Sequence, residues 1–312
     1  MKFDLSIYKG AVIALNTCFN ENGDIDCETT CKLVRWYTDM GIKGFYLNGT
    51  SGEGILMSVD ERIAVAEAVM EELKGSDCFV INHVGAYATR DAVALAIHSE
   101  KIGCDAVSSI PCLPFSVPEH AIKTYWDAII DASNLPFIIY NMPGLTRYSL
   151  SFGLFGQMLE NPKVIGIKDT GGSLYQTERF RAMAGEDFII FNGSDEQYFP
   201  ARLMGANAGI GGTYGVMPEL FLTLEQCIQK RDFDNAQTIQ GWINEIISDY
   251  LLAEPPIMSI VKPIISHRVG FNIGAARPPL HPIAFDAPIV LKAVAKINEF
   301  VENCKLRGVK GE

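Results

Sequence analysis

Short apolar runs alternate with segments of helical spacing along most of this 312-residue chain. Runs typical of buried strands cover residues 9–17, 44–48, 78–84, 105–110, 136–141, 164–170, 188–192 and 208–213. Each run is followed by a predicted helix, at intervals of roughly 25 to 35 residues. Near-continuous apolar strands that alternate with helices indicate a parallel sheet covered by helices. Eight such units predict an α/β fold, the closed (β/α)8 or TIM barrel.

Helix signals separate the strands and then continue alone to the C-terminus. The helices predicted within the barrel cover residues 26–40, 58–75, 89–102, 118–133, 149–160, 173–184 and 218–230, with a short one ending at Met204. Ser58 and Glu61 form a capping-box pattern at the start of the second helix. After residue 232 only helical patterning remains, at about 233–252, 256–268 and 287–304. We therefore expect a barrel over residues 1–232 and a helical extension over 233–312 packed on it.

Composition and charge narrow the classes of function. The net charge is −11 and the pI about 5.0, which argues against nucleic acid or an anionic membrane as a partner. The sequence shows neither a secretion signal nor an apolar run long enough to span a bilayer, so we expect a cytoplasmic protein. The cysteines are scattered without a Cys-x-x-Cys pair, which is typical of reduced core thiols rather than of disulfides or zinc ligands.

Lys168 is unusual because it ends an otherwise apolar strand, Val164-Ile165-Gly166-Ile167. Burial disfavours an ammonium group, and the same penalty favours the neutral amine, which is a nucleophile towards carbonyl compounds. A lysine in this position can form a Schiff base with a ketone. The alternative interpretation is a structural lysine whose stem is buried while its head reaches water.

The carboxyl ends of all strands in such a barrel meet on one face, where the chemistry takes place. The residues at these ends that can contribute are Thr17, Gly49, Thr50, Ser51, Gly52, Glu53, His83, Tyr140, Asn141, Lys168, Asp169, Thr170, Gly193, Asp195, Glu196, Gly211, Gly212 and Thr213. The turn 49–53 suits an anion such as a carboxylate, or it is a tight connection with a helix cap. Tyr140 is a proton shuttle, or an aromatic at the barrel mouth whose hydroxyl is satisfied.

Other chemistries explain fewer of these residues. A catalytic metal needs about three clustered ligands, and of the five histidines only His83 falls at a strand end. Glycoside hydrolysis would leave Lys168 unexplained, although it could use two opposed carboxylates from among Glu53, Asp169, Asp195 and Glu196. Glycines at the end of the eighth strand lie where many barrels bind phosphate, but they also give room to a neutral substrate. We expect neither a metal nor an organic cofactor.

Three motifs carry a family resemblance: Gly49-Thr50-Ser51-Gly52-Glu53, Tyr140-Asn141-Met142-Pro143 and Gly166-Ile167-Lys168-Asp169. With them the chain resembles the pyruvate-dependent class I aldolases of the dihydrodipicolinate synthase and N-acetylneuraminate lyase family, from residue 5 to about residue 300. The resemblance implies that Lys168 forms the Schiff base with pyruvate and that Thr50 and Ser51 bind its carboxylate. It also implies that Tyr140 moves protons at the reacting carbon and that the protein is a homotetramer.

Within that family the lyase branch is the more similar. Asn82-His83-Val84-Gly85 resembles the His-Val-Gly of sialic acid lyases, and residues 173–176 and 192–196 are also similar to that branch. The resemblance implies that Gly193, Asp195 and Glu196 bind the polyhydroxy tail of a sugar acid. Thr170, Gly211 and Gly212 complete the predicted binding set. The synthase branch has an arginine where this chain has Leu145, and Arg147 lies two residues further on.

Two positions depart from the lyase pattern. The eighth strand ends in Gly211-Gly212-Thr213 where sialic acid lyases have Gly-Ser-Thr, and the loop 111–115 lacks the tyrosine that family members lend to a neighbouring subunit. We expect a lyase that cleaves a 2-keto sugar acid with a neutral polyhydroxy tail, such as N-acetylneuraminate, to pyruvate and an aldose. The alternatives are a dihydrodipicolinate synthase-like enzyme, another 2-keto-3-deoxy sugar acid aldolase, or a sugar-acid-binding barrel with degraded catalysis.

Overall fold

A computed structural model describes residues 3–111, 117–252 and 257–306. Parallel strands in these residues close into a barrel in chain order, with the last strand paired back to the first. The strands are β1 Gly10–Ala14, β2 Gly44–Leu47, β3 Phe79–His83, β4 Ala106–Ser109, β5 Phe137–Asn141, β6 Val164–Asp169, β7 Ile189–Asn192 and β8 Ala208–Gly211. The predicted (β/α)8 barrel is confirmed.

Helices cover the outside of the barrel and follow the predicted segments closely. They are α1 Cys27–Asp39, α2 Val59–Glu72, α3 Thr89–Lys101, α4 Glu119–Asp131, α5 Pro143–Thr146, α6 Phe152–Leu159, α7 Leu174–Ala184, α8 Tyr198–Leu203, α9 Pro218–Gln229, α10 Phe233–Ile246, α11 Ile257–Val269 and α12 Pro288–Leu306. The short helix α5 was not predicted. It begins at Pro143, whose fixed φ and missing N–H suit the first position of a helix.

The capping box at the start of α2 is confirmed. The Ser58 hydroxyl accepts the Glu61 backbone N–H at 3.2 Å, and the Glu61 carboxylate accepts the Ser58 N–H at 2.8 Å. The predicted first strand, in contrast, was too long at its carboxyl end. Asn16 and Thr17 leave the sheet and donate from their side chains to the carbonyls of Ser51 and Gly52, at 2.9 and 2.7 Å.

Two apolar layers hold the barrel together. Side chains that point inward from alternate strand positions, among them Val12, Phe79 and Ile138, fill its interior. A second layer lies between the strands and the surrounding helices. None of the helices in the described part of the chain is both long and apolar enough to cross a bilayer.

The C-terminal helices share this outer layer with the barrel. Ile243 of α10, Ile264 of α11 and Ile297 of α12 are fully buried in one apolar cluster with Ile13 of β1 and Phe45 of β2. Contiguous burial of this kind makes the extension part of the same core rather than a separate one.

A buried ion pair joins the extension to the barrel mouth. The Lys262 ammonium of α11 lies 2.6 Å from the carboxylate of Glu53, and both side chains have 0% exposure. Lys262 also donates to the Ala275 carbonyl at 3.1 Å and lies 4.0 Å from the centre of the Phe19 ring. The other Glu53 oxygen accepts the Arg277 N–H at 2.7 Å. These contacts satisfy two charges that would otherwise be costly to bury.

We expect Lys262→Met to lower the free energy of unfolding by about 3–5 kcal/mol, because it leaves the Glu53 carboxylate buried without its cation. We also propose that barrel and extension unfold as one unit, so the loss should appear in a single cooperative transition. Urea denaturation followed by circular dichroism and by tryptophan fluorescence measures both.

Lys305→Met is the matched control, since Lys305 and its partner Glu302 are both exposed, and it should leave the urea midpoint unchanged. Adding Glu53→Gln to Lys262→Met should recover part of the lost stability. Two separate transitions would contradict the single folding unit. A Lys262→Met variant as stable as the control would contradict the importance of the buried pair.

Candidate active site

The strand register places Tyr140 beside Lys168. The β5–β6 pairing contains an irregularity between Val164 and Gly166 that inserts one extra residue in β6, after which Tyr140 lies opposite Lys168. Without that residue Tyr140 would lie opposite Ile167. Because side chains alternate between the two faces of a strand, Lys168 would then point to the other face of the sheet from Tyr140.

Lys168 is buried at the barrel mouth between two aromatic rings. Its side chain is 4% exposed, and its Nζ lies 4.2 Å from the ring centroid of Tyr140 and 4.2 Å from that of Tyr46. The alternative interpretation, a structural lysine whose stem is buried while its head reaches water, is therefore wrong. The sequence did not predict a role for Tyr46. It lies two residues before the end of the apolar run 44–48, close enough to the strand end to reach the barrel mouth.

The Tyr140 hydroxyl points to the predicted anion-binding turn. It donates to the Met142 sulfur at 3.0 Å, and the Thr50 hydroxyl donates to the same sulfur at 3.6 Å. A thioether is a weak acceptor, so a ligand oxygen would compete well for both hydroxyls. Thr50 and Tyr140, predicted from strands far apart in sequence, thus converge on one point at the mouth.

The turn that carries Thr50 and Ser51 is held in a strained conformation. Asn48 and Glu53, on either side of it, have φ values of 55° and 56°, in the left-handed region that residues other than glycine rarely adopt. The Asn48 amide donates to Asn82 at 2.9 Å and so fixes one end, while the Glu53–Lys262 ion pair fixes the other. A helix-capping role for the turn is not seen, since Ser58 caps α2.

His83 is a structural brace. Its Nδ1 lies 3.2 Å from the Asn48 carbonyl, and its Nε2 accepts the Ile110 N–H at 3.3 Å, so both ring nitrogens are occupied in the neutral form. Burial, and then the charges of Arg62 and Lys168, hold its pKa well below the usual value for histidine. In the described residues no group of three or more His, Cys, Asp or Glu side chains could hold a metal ion.

Asp169 also has a structural partner rather than a free carboxylate. Its Oδ1 accepts the Asn141 amide at 2.8 Å and the Gly171 N–H at 3.0 Å, and burial raises its pKa. The Asn141 amide oxygen in turn accepts the Leu150 N–H at 3.1 Å. This network ties the loops after β5 and β6 together on the Lys168 side of the mouth.

Two residues of the predicted binding set, Asp195 and Thr170, each have a buried oxygen without a hydrogen-bond partner among the described residues. Oδ2 of Asp195 accepts both the N–H and the hydroxyl of Thr213 at 2.7 Å, and Asp195 does not cap the following helix. Its Oδ1 and the Thr170 hydroxyl oxygen are buried and find no hydrogen-bond partner among the residues the structure describes. Glu196, next in sequence, is exposed.

Glycines make room for these polar atoms. A Cβ at Gly193 would lie 2.3 Å from the Thr170 hydroxyl oxygen. A Cβ at Gly211 would lie 1.9 Å from the Tyr214 ring and 2.5 Å from Asp195 Oδ1. A Cβ at Gly212 would lie 2.8 Å from the Ser51 hydroxyl oxygen, so a serine there, as in the usual lyase pattern, would press on Ser51. Because Gly212 has no side chain, the Ser51 hydroxyl can lie next to the end of β8.

A cavity of about 210 Å³ opens on the far side of Thr50, towards α2 and α3. It is mostly apolar, with Ile55, Tyr87 and Leu145 among its lining residues, and Lys168 is not one of them. The loop predicted to lack a tyrosine spans residues 111–115, and its part from 112 onward lies outside the described residues.

The fold and the site define a class of protein: a (β/α)8 barrel with a buried lysine between tyrosines at the carboxyl ends of its strands. This chain belongs to the dihydrodipicolinate synthetase family, whose family model matches residues 7–298. The family resemblance drawn from the three sequence motifs is thereby confirmed.

Individual relatives are similar over nearly the whole chain. An N-acetylneuraminate lyase from Mediterraneibacter gnavus is 39% identical over 94% of this chain and 93% of the relative. A solved structure, a catalytic-lysine mutant of Ruminococcus gnavus sialic acid aldolase, is 39% identical with a TM-score of 0.93 and covers 96% of this chain and 99% of that one. CdNal from Clostridium difficile, solved in complex with mannosamine, is 27% identical with a TM-score of 0.85, covering 95% and 99%.

The buried Asp195 carboxyl makes the stability of the folded protein depend on pH. Burial raises its pKa to about 6, although both hydrogen bonds from Thr213 favour the ionised form. The folded protein therefore holds this proton more tightly than the unfolded chain, where the carboxyl has its ordinary pKa near 3.8. With that sign, the contribution of Asp195 to stability falls as the pH rises from about 4 to about 6, by about 3 kcal/mol in all.

We expect Asp195→Asn, which cannot titrate, to gain up to about 3 kcal/mol in unfolding free energy relative to the native chain between pH 4 and pH 7. Urea denaturation at several pH values measures this difference. Asp187→Asn, at an exposed carboxylate, is the control and should follow the native chain at every pH. A constant difference for Asp195→Asn would contradict the assignment.

Proposed function

We propose that this protein is a sialic acid aldolase that reversibly cleaves N-acetylneuraminate, or a closely related 2-keto sugar acid, to pyruvate and an aldose such as N-acetylmannosamine. The observation that carries the proposal is the buried Lys168 amine between Tyr46 and Tyr140 at the barrel mouth. The names of relatives that match nearly the whole chain support the same reaction.

The first step is imine formation on Lys168. The neutral amine adds to the C2 ketone of the open-chain sugar acid and gives a carbinolamine. The Tyr140 hydroxyl donates its proton to the carbinolamine hydroxyl, which leaves as water, so that a protonated imine and a tyrosinate remain. This cation is the electron sink for the reaction, so no organic cofactor and no metal is needed.

Cleavage of the C3–C4 bond follows, because its electron pair can move into the protonated imine. The C4 hydroxyl loses its proton to a general base and becomes the aldehyde of the leaving aldose. We assign this base to the Tyr140 oxygen, which gave up its proton when water left the carbinolamine. The Tyr140 ring adjoins Lys168, and among the described residues its hydroxyl has only a thioether as partner. Protonation of the resulting enamine at C3 and hydrolysis of the imine release pyruvate and restore the lysine.

The neighbouring residues orient the substrate. Thr50 and Ser51 bind the carboxylate in the preformed turn, and Gly212 leaves the space in which the Ser51 hydroxyl stands. Asp195 and Thr170 each have a buried oxygen that lacks a partner among the described residues. The Asp195 carboxylate accepts hydrogen bonds from the hydroxyls of the tail, and the Thr170 hydroxyl donates to them or accepts from them. Glu196, exposed beside them, contacts the outer part of the tail. Gly193 keeps the Thr170 hydroxyl uncovered, and Gly211 lets Asp195 and the Tyr214 ring pack against the end of β8.

The charge at the tail end selects against acidic alternatives. Asp195 and Glu196 would repel a second carboxylate or a phosphate. Leu145 is 37% exposed at the position where the synthase branch has an arginine for a dicarboxylate. A dihydrodipicolinate synthase-like reaction is therefore less well supported than sugar acid cleavage.

We propose a homotetramer, as the family resemblance implies. Phe152 of α6 and Tyr175 of α7 form an exposed aromatic pair with ring centroids 6.4 Å apart, which suits a contact between subunits. A cytoplasmic location stays a prediction.

Incubation with pyruvate and borohydride tests the Schiff base. We expect one reduced pyruvate per chain, located on Lys168 by peptide mass spectrometry, because this amine is desolvated and open to the mouth. Lys168→Arg is the control and should take up none, since a guanidinium stays protonated. An adduct on Lys262 or Lys43, or none at all, would contradict the proposed mechanism.

A panel of 2-keto acids tests the substrate class. We expect pyruvate release from sugar acids with neutral polyhydroxy tails and little from phosphorylated or dicarboxylic ones. Glu196→Ala should raise KM by about 10-fold with kcat nearly unchanged, since a hydrogen bond remote from the imine is made about equally in the ground and transition states.

Glu302→Ala removes an exposed carboxylate on α12 and should change neither constant. Pyruvate release only from the phosphorylated or dicarboxylic members would overturn the substrate assignment while leaving the lysine chemistry intact.

A further inference from the structure

We propose that Tyr46 is a catalytic residue whose ring face stabilises the protonated imine on Lys168. The inference rests on the proposed function, because it concerns the intermediate of that reaction. Its geometric basis is direct: the Lys168 Nζ lies 4.2 Å from the centroid of the Tyr46 ring, within the range of a cation–π contact.

The positive charge on Lys168 has little else to compensate it. Lys168 takes part in none of the ion pairs among the residues the structure describes. The two rings that face it belong to Tyr46, which is 0% exposed, and Tyr140, which is 2% exposed. A desolvated cation gains more from an aromatic face than an exposed one does, because water no longer competes.

The Tyr46 ring is held firmly in this position. Its hydroxyl donates to the Ser108 hydroxyl at 3.0 Å. Its ring packs against the Tyr140 ring in a T-shaped arrangement, with the centroids 5.9 Å apart. A Cβ at Gly49 would lie 2.6 Å from Cε1 of the ring, so only glycine fits there. The glycine that begins the carboxylate-binding turn therefore also packs against the ring that faces the lysine.

The two tyrosines divide the work. The Tyr140 hydroxyl faces Met142 and the mouth, where it can exchange protons with substrate. The Tyr46 hydroxyl is committed to Ser108, inside the barrel, so Tyr46 can offer the reacting nitrogen only its π face. A ring stabilises the cationic imine without being able to take its proton, which a carboxylate in the same place could do.

The test separates the ring from the hydroxyl. Tyr46→Phe keeps the ring and should retain kcat and pyruvate trapping within about 3-fold, as should Ser108→Ala, which removes only the partner of the hydroxyl. Tyr46→Leu should lower the equilibrium fraction of imine with pyruvate, trapped by borohydride, and kcat by about 10- to 30-fold. Circular dichroism and the thermal midpoint establish that each variant is folded.

A graded series distinguishes electrostatics from packing. Phenylalanine, and phenylalanines with one, two or three ring fluorines, can be incorporated at position 46; fluorine withdraws charge from the ring face with little change of shape. We expect the logarithm of the imine formation constant to fall stepwise with each fluorine, because the interaction is with the ring quadrupole.

An imine formation constant that does not change with the number of fluorines, while the native chain still traps pyruvate, would overturn the role of Tyr46 and leave the proposed function standing. Native-like trapping by Tyr46→Leu would do the same. Failure of the native chain to form any adduct with pyruvate would overturn both, so the two failures are distinguishable.

Discussion

A single extra residue in β6 sets the relation between the two strands that carry the chemistry. Residues opposite each other in a parallel pair point to the same face, and a slip of one residue reverses the face. The irregularity between Val164 and Gly166 brings Lys168 opposite Tyr140, so both side chains enter the barrel mouth together. Gly166 is adapted to this path, since a Cβ there would lie 2.8 Å from the Ile189 carbonyl oxygen.

Around that pair, the polar residues of the mouth fall into two groups. His83, Asp169 and Glu53 have their hydrogen-bonding or charge requirements met by neighbours, and they hold loops in place. Asp195 and Thr170 each keep one buried oxygen without a partner in the described part of the chain. Since unsatisfied buried oxygens are costly, these two oxygens support the proposal that a ligand completes their hydrogen bonds.

The hydrophobic pattern was enough to predict the barrel, because strands of a parallel sheet are apolar on both faces and so stand out along the chain. Lys168, Tyr140 and Thr50 could be found because strand ends meet on one face of that fold. Tyr46 could not, since alternation gives the face of a side chain but not the distance of its ring from another strand. The Glu53–Lys262 pair joins residues far apart in sequence, and nothing local to either marks it.

The net charge of the whole chain does not describe the electrostatic field at the turn 49–53. At −11 the chain repels an anionic sugar acid at long range, although salt screens this beyond about 8 Å. Near the turn 49–53, which we propose binds the substrate carboxylate, a buried cation changes this balance. The buried Arg62 guanidinium donates to the carbonyls of His83 and Gly85, and the Arg62 carbonyl accepts the side-chain amide of Asn48 next to the turn at 3.1 Å. Burial lowers the pKa of Arg62 only to about 10, so it remains charged at neutral pH. A buried cation close to this turn thus acts more strongly than carboxylates at a greater distance, because Coulomb energies rise as distance and dielectric constant fall.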